Sequence, residues 1–210
     1  MKQLVIATRN SGKLREFREL LLPLKNEILS LADLDVDEEF EESGKTFAEN
    51  ARLKAIGYSR IIQLPVLADD SGLEVEALGG RPGIHSARYA GPGASDEDRV
   101  RKLLKEMEHS AERNARFVCS LALAKGGTLL LESEGECRGT IAKEPRGANG
   151  FGYDPVFLFP ELGRTYAELS REEKNLYSHR ARAVASLLHQ VVNRKSSICW
   201  SGSPEGIELQ

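Results

Sequence analysis

Cysteine is scarce. The three residues, Cys119, Cys137 and Cys199, stand far apart with no C-x-x-C pair, which excludes a disulfide framework or a zinc knuckle and fits a reducing cytosol. No run of ~18 consecutive apolar residues occurs, so nothing reads as a membrane span. The short run Leu4 to Ala7 is interrupted by Arg9 and Asn10, too soon for a secretory signal. An excess of one charge is also missing: 29 Lys plus Arg against 32 Asp plus Glu leave a net charge of -3, and hence no bulk field for polyanions. Aromatic residues are 6% of the chain and form no stripe with basic ones, which argues against a nucleic-acid-binding module. The expectation is a soluble cytoplasmic protein that engages neither nucleic acid nor membrane.

What is present suffices for a core. The chain has 210 residues, 40% of them hydrophobic, which at ~150 residues per domain gives a little over one domain, or one domain with two lobes. Gln3 to Thr8 reads as a buried strand, and the helical spacing of Leu14, Phe17, Leu20 and Leu21 begins after the turn Asn10-Ser11-Gly12-Lys13. Phe47, Ala51, Lys54, Ala55 and Tyr58 mark a second helix after the acidic stretch Asp35 to Glu42. Pro65 to Asp70 is an apolar strand ending in carboxylates, with a turn at Gly72 before a further strand, Leu73 to Ala77. Ser95 with Asp98, and Ser170 with Glu173, read as capping boxes. Arg116 to Lys125 and Thr128 to Arg138 flank Gly126-Gly127 as a hairpin, with Gly139 to Lys143 as a third strand. Glu144 to Asp154 is a glycine-rich loop before a short strand, Pro155 to Phe159. The stripe Ala181, Val184, Leu188, Val191 carries a last helix to about Val192, and residues 193–210 are expected to be a disordered tail. Parallel β-α material followed by hairpins makes an α/β fold with one mixed sheet flanked by helices.

Several positions can carry chemistry. Thr8, Asn10, Ser11, Gly12 and Lys13 lie where a strand hands over to a helix, a junction whose free amides and dipole favour phosphate; such a turn can equally be only a turn. Asp69 and Asp70 are adjacent on a strand and so point to opposite faces, one of them toward any given site. A carboxylate there, with Glu42 as a second, suits Mg²⁺, the alternatives being a turn cap and a solvated acidic face. Asn50 and Lys54 share one helix face, where the lysine can meet phosphate or solvent. Phe151 to Asp154 places aromatic rings in a glycine-rich loop, to stack on a base or to anchor the loop in the core. His179 and Arg180 open the last helix shortly after Lys174.

Taken in order, ATRNSGK at 7–13, EESGKTFAENARLKA at 41–55, ADDSGLEVEALGGRPGIHSARYAG at 68–91, GFGYDPVF at 150–157 and LSREEKNLYSHRARA at 169–183 resemble the inosine triphosphate pyrophosphatase family, also described as dITP/XTP pyrophosphatases. The likeness spans roughly residues 1–192. It implies an elongated two-lobed α/β fold, usually homodimeric, and Mg²⁺-dependent hydrolysis of deaminated purine nucleoside triphosphates (dITP, ITP, XTP) to the monophosphate and pyrophosphate. By the same likeness Thr8, Arg9, Asn10, Ser11, Gly12 and Lys13 hold phosphate, Arg9 at a position the family varies. Glu42 and Asp70 bind metal, and Asp70 is also the general base. Ser71 and Lys54 contact the triphosphate. Phe151, Gly152, Tyr153, Asp154, Lys174, His179 and Arg180 form the nucleoside pocket. The alternatives to this are a pyrophosphatase for pyrimidine nucleotides and a non-catalytic nucleotide sensor or RNA-binding module.

Overall fold

The computed structural model describes residues 2–197. Strand β1 (Gln3–Ala7) leads into α1 (Ser11–Leu20), which starts inside the expected turn because the Asn10 side chain accepts the Lys13 amide as an N-cap. A short β2 (Glu27–Ser30) follows, then α2 (Phe47–Ile62) and β3 (Val66–Val75). Next come α3 (Asp96–Glu106), β4 (Asn114–Lys125), β5 (Thr128–Ile141), β6 (Phe157–Phe159), β7 (Arg164–Thr165), α4 (Arg171–Tyr177) and α5 (His179–Ser197). The strands form one seven-stranded sheet in the order β2-β1-β3-β4-β5-β6-β7. The sheet is mixed: β1 pairs in parallel with β2 and β3, whereas β6 runs antiparallel to β5 and β7. Gly126 and Gly127 both take positive φ, as a two-residue primed turn requires, and so join β4 to β5.

Three sequence expectations are corrected. Gly72 does not turn the chain: β3 continues through it to Val75, so there is no separate strand from Leu73 to Ala77. Residues 139–143 give no third strand, because β5 itself extends to Ile141. The last helix passes Val192 and reaches Ser197, so residues 193–197 are helical; the rest of the expected tail, with Cys199, lies outside the described residues. Cys119 and Cys137 are buried thiols, not joined in a disulfide.

The chain divides into two compact units. The first takes residues up to Asp70, then Cys119–Gly135 and the chain from Ala181; the second takes Ser71–Val118 and Glu136–Arg180. In the first unit strand alternation separates two cores. Leu4, Ile6, Leu67, Cys119, Leu121 and Leu123 face Phe17 of α1 and Val184 and Leu187 of α5. Val5, Ala7, Val66, Ala68, Ala122 and Ala124 face Ala51, Ala55 and Tyr58 of α2. The second unit has its own core of Leu73, Val75, Leu103, Phe117, Phe157 and Tyr166, among others.

Candidate active site

In the first unit the polar end of β3 inherits the alternation of its apolar part. Leu67 belongs to the layer of α1 and Ala68 to the layer of α2, so Asp69 turns to α1 and Asp70 to α2. Asp69 Oδ1 accordingly meets Lys13 Nζ at 2.7 Å, and its Oδ2 lies 3.6 Å from Cys119 Sγ. Asp70 Oδ2 accepts from Asn50 Nδ2 at 3.0 Å, while its Oδ1 is 3.6 Å from Lys54 Nζ. Lys54 also donates to Glu42 Oε1 and to the Asp69 carbonyl, each at 2.7 Å. Burial would by itself lower the Lys54 pKa, but Asp70, Asp69 and Glu42 outweigh it and raise it. Asp70 is pushed above the ordinary aspartate range, mainly by burial and also by Glu42, against the opposing pull of Lys54, Lys13 and Asn50.

The acidic stretch that brings Glu42 to this cluster is anchored. Arg9 donates to the carbonyls of Val36 and Glu38 and pairs with Glu39, and the Tyr58 hydroxyl donates to Glu38 O at 2.9 Å. Phe40 packs edge-on against Tyr58 and lies over Gly57, where a Cβ would come within 2.5 Å of its ring. Asn50 clamps the other flank by accepting the Gly44 amide at 2.8 Å. Arg9, expected on phosphate, here holds this loop. Thr8 accepts the Asn10 amide, so the junction is ordered from within.

The second unit gathers the expected nucleoside residues. Asp154 Oδ2 accepts the Phe151 amide at 2.9 Å and meets Lys174 Nζ at 2.5 Å, and both charged side chains are nearly inaccessible, at 4% and 6%. Lys174 Nζ stands 4.8 Å from the centre of the half-buried Phe151 ring, and the Arg180 guanidinium 5.8 Å from it. Arg180, wholly buried, donates to Ser71 Oγ at 3.0 Å. His179 stacks on Phe117 with centroids 4.7 Å apart. Tyr153 departs from the expected pocket: its ring belongs to the core, its hydroxyl donates to Ser86 O at 2.9 Å, and burial raises its pKa. Gly152 donates its amide to Asp96 Oδ2 at 2.6 Å.

The structure therefore brings Lys13, Glu42, Lys54 and Asp70 together with Asp69 and Asn50, and Phe151, Asp154, Lys174 and Arg180 with Ser71. Asp69 and Asp96 were missed as partners. Alternation shows that Asp69 faces away from Asp70, but not that α1 supplies Lys13 there; nothing in the sequence points from Asp96 to Gly152.

The sequence model of the Ham1 family matches residues 4–190. A dITP/XTP pyrophosphatase of Geobacillus kaustophilus is 53% identical over 192 residues, 90% of this chain and 94% of that protein. One of Bacillus subtilis is 47% identical over 189 residues, 89% and 96% of the two. Among solved structures, a HAM1 protein from Coxiella burnetii superposes with a TM-score of 0.83 at 42% identity, covering 92% of this chain and all of that one. The Staphylococcus aureus Ham1 protein gives 0.82 at 41%, with the same coverage.

Proposed function

This chain belongs to the Ham1 family, and we propose that it hydrolyses the deaminated purine nucleoside triphosphates dITP, ITP and XTP to the monophosphate and pyrophosphate, with Asp70 as general base. The observation that carries the assignment is the buried Asp70 set among Asn50, Lys54 and Glu42, in a chain about half identical to dITP/XTP pyrophosphatases. Burial makes Asp70 a stronger base than an ordinary aspartate. Asn50 occupies one of its oxygens and leaves Oδ1 to take the proton of the attacking water. As water bonds to phosphorus, the α-β phosphoanhydride bond breaks and its electron pair leaves on pyrophosphate. Lys13 and Lys54 are assigned to the phosphates, whose charge must be balanced as the leaving group departs.

The donor set suits Mg²⁺: Glu42 and Asp70 are hard oxygen ligands that repel one another and now share a lysine. Among the described residues no group of three His, Cys, Asp or Glu side chains is gathered, as expected where substrate phosphates and water supply the remaining oxygens. Bound there, Mg²⁺ supplies charge neutralisation and a more acidic water. The nucleoside is assigned to the second set, where Phe151 offers a ring face and His179 and Arg180 offer donors for the 6-oxo group. Residues 1–192 are read as one enzyme domain, and the family likeness also carries a cytoplasmic location and a homodimer, the latter read directly by sedimentation.

Pyrophosphate release from a panel of nucleotides, with and without Mg²⁺, tests the proposal. ITP, dITP and XTP are expected to turn over only with the metal, and ATP poorly. Preference for pyrimidine triphosphates, or binding without turnover, would replace it with one of the two alternatives. His179→Ala and Arg180→Ala are expected to narrow the ITP over ATP ratio of kcat/KM about ten- to a hundredfold, because adenine presents a donor where hypoxanthine presents an acceptor. Full retention of that ratio in both variants moves base selection elsewhere.

A further inference from the structure

Of the ties that hold the loop carrying Phe151, three fall on the residues that follow the ring. Asp154 closes it from within, and Tyr153 fastens it to Ser86. The third tie comes from Asp96, the first residue of α3, whose Oδ2 accepts the Gly152 amide at 2.6 Å. Its Oδ1 pairs with Arg99, one turn on, and Arg99 in turn donates to the carbonyls of Ala87 at 2.7 Å and Ala94 at 3.1 Å. An aspartate in the first turn of a helix ordinarily complements the dipole. Here Ser95 and Asp98 already form a reciprocal capping box, and Glu97 adds a further acid in the same turn. Asp96 instead engages a loop far away in sequence.

The peptide it grips is the one that follows Phe151. Gly152 has φ +63, a region glycine enters without strain; the carbonyl of that peptide accepts the Asp154 amide at 3.2 Å, and Asp96 holds the opposite edge of the plane. We infer that Asp96 is a positioning residue for base recognition: by holding the Gly152 amide it fixes the direction in which the Phe151 ring is presented to the purine. The inference rests on the reading of Phe151 as the stacking residue.

The test compares ITP with ribose 5′-triphosphate, which lacks the base, in Asp96→Ala, Asp96→Asn, Arg99→Met, Glu97→Ala and Phe151→Ala. Asp96→Ala is expected to raise KM for ITP about three- to tenfold, the range of an aromatic contact, with kcat little changed and no effect on ribose 5′-triphosphate. Asp96→Asn, whose amide oxygen still accepts from Gly152, should restore most of the affinity. Arg99→Met should give the same KM-only pattern more weakly, and Glu97→Ala wild-type values. Combined with Phe151→Ala, Asp96→Ala should add nothing. Equal losses on both substrates would make Asp96 a merely structural residue and overturn the inference. An unchanged KM in Asp96→Ala beside a raised one in Phe151→Ala would overturn it while leaving the stacking assignment standing; no effect in either variant would remove both.

Discussion

Asp70→Asn is expected to lower ITP turnover by about three orders of magnitude, the scale on which a positioned general base acts, with circular dichroism unchanged. The amide keeps the shape of the carboxylate but loses its charge and basicity. Stability should hold or rise. Because burial holds the folded pKa of Asp70 above its unfolded value, its favourable contribution is present at acid pH and lost as pH rises through the raised pKa, so at neutral pH ionisation opposes folding. Asparagine avoids that opposition, and a thermal melt at neutral pH reads the difference. Asp69→Asn should be milder, about ten- to a hundredfold, since its carboxylate meets Lys13 rather than the residues around Asp70. Equal losses in two folded variants would remove the assignment of a single base.

Asp154→Ala should be the most destabilising change in the second unit. It takes from the buried Lys174 ammonium a carboxylate only 2.5 Å away, and from the Phe151 amide its acceptor. Breaking one side of a buried pair costs about 3–5 kcal/mol. In a chain of this size that lowers Tm by roughly 10 °C. The double variant Asp154→Asn with Lys174→Met removes both charges and should recover much of the loss, since no unpaired charge is left buried. Denaturant titration of the three proteins checks this; equal instability of the single and double variants would mean that the pair contributes little and that loop packing dominates.

Local signals were the legible ones. Both capping boxes read from the sequence form as expected, at Ser95 and Ser170, because the residues that make them are neighbours in the chain. The glycine pair between β4 and β5 likewise fixes its own turn. Gly72 misled because glycine punctuates turns more often than it sits in a strand, whereas here pairing continues through it. β2 and β7, at four and two residues, are too short to show a period. Half of the site geometry was legible as well: alternation separates Asp69 from Asp70, and one helical turn aligns Asn50 with Lys54. What the sequence could not show is which distant element meets each face. Lys13 on Asp69, Arg180 on Ser71 and Asp96 on Gly152 are contacts chosen by the tertiary fold, with no periodicity to announce them.

The core shared by β1, α1 and α5 has a consequence for biosynthesis. Leu4, Ile6 and Phe17 are covered in part by Val184, Leu187 and Val191, which are synthesised much later than they are. At ~5–20 residues per second, the opening strand and helix wait roughly 10–40 s for those partners, longer than a small domain needs to fold once its contacts are available. Throughout that interval the nascent chain presents an apolar strand without its eventual cover, the kind of surface that chaperones retain and that aggregation exploits. The first unit is therefore completed only once α5 has been synthesised, and a truncation that removes α5 should leave a product dependent on chaperones for solubility even though its first seventy residues are intact.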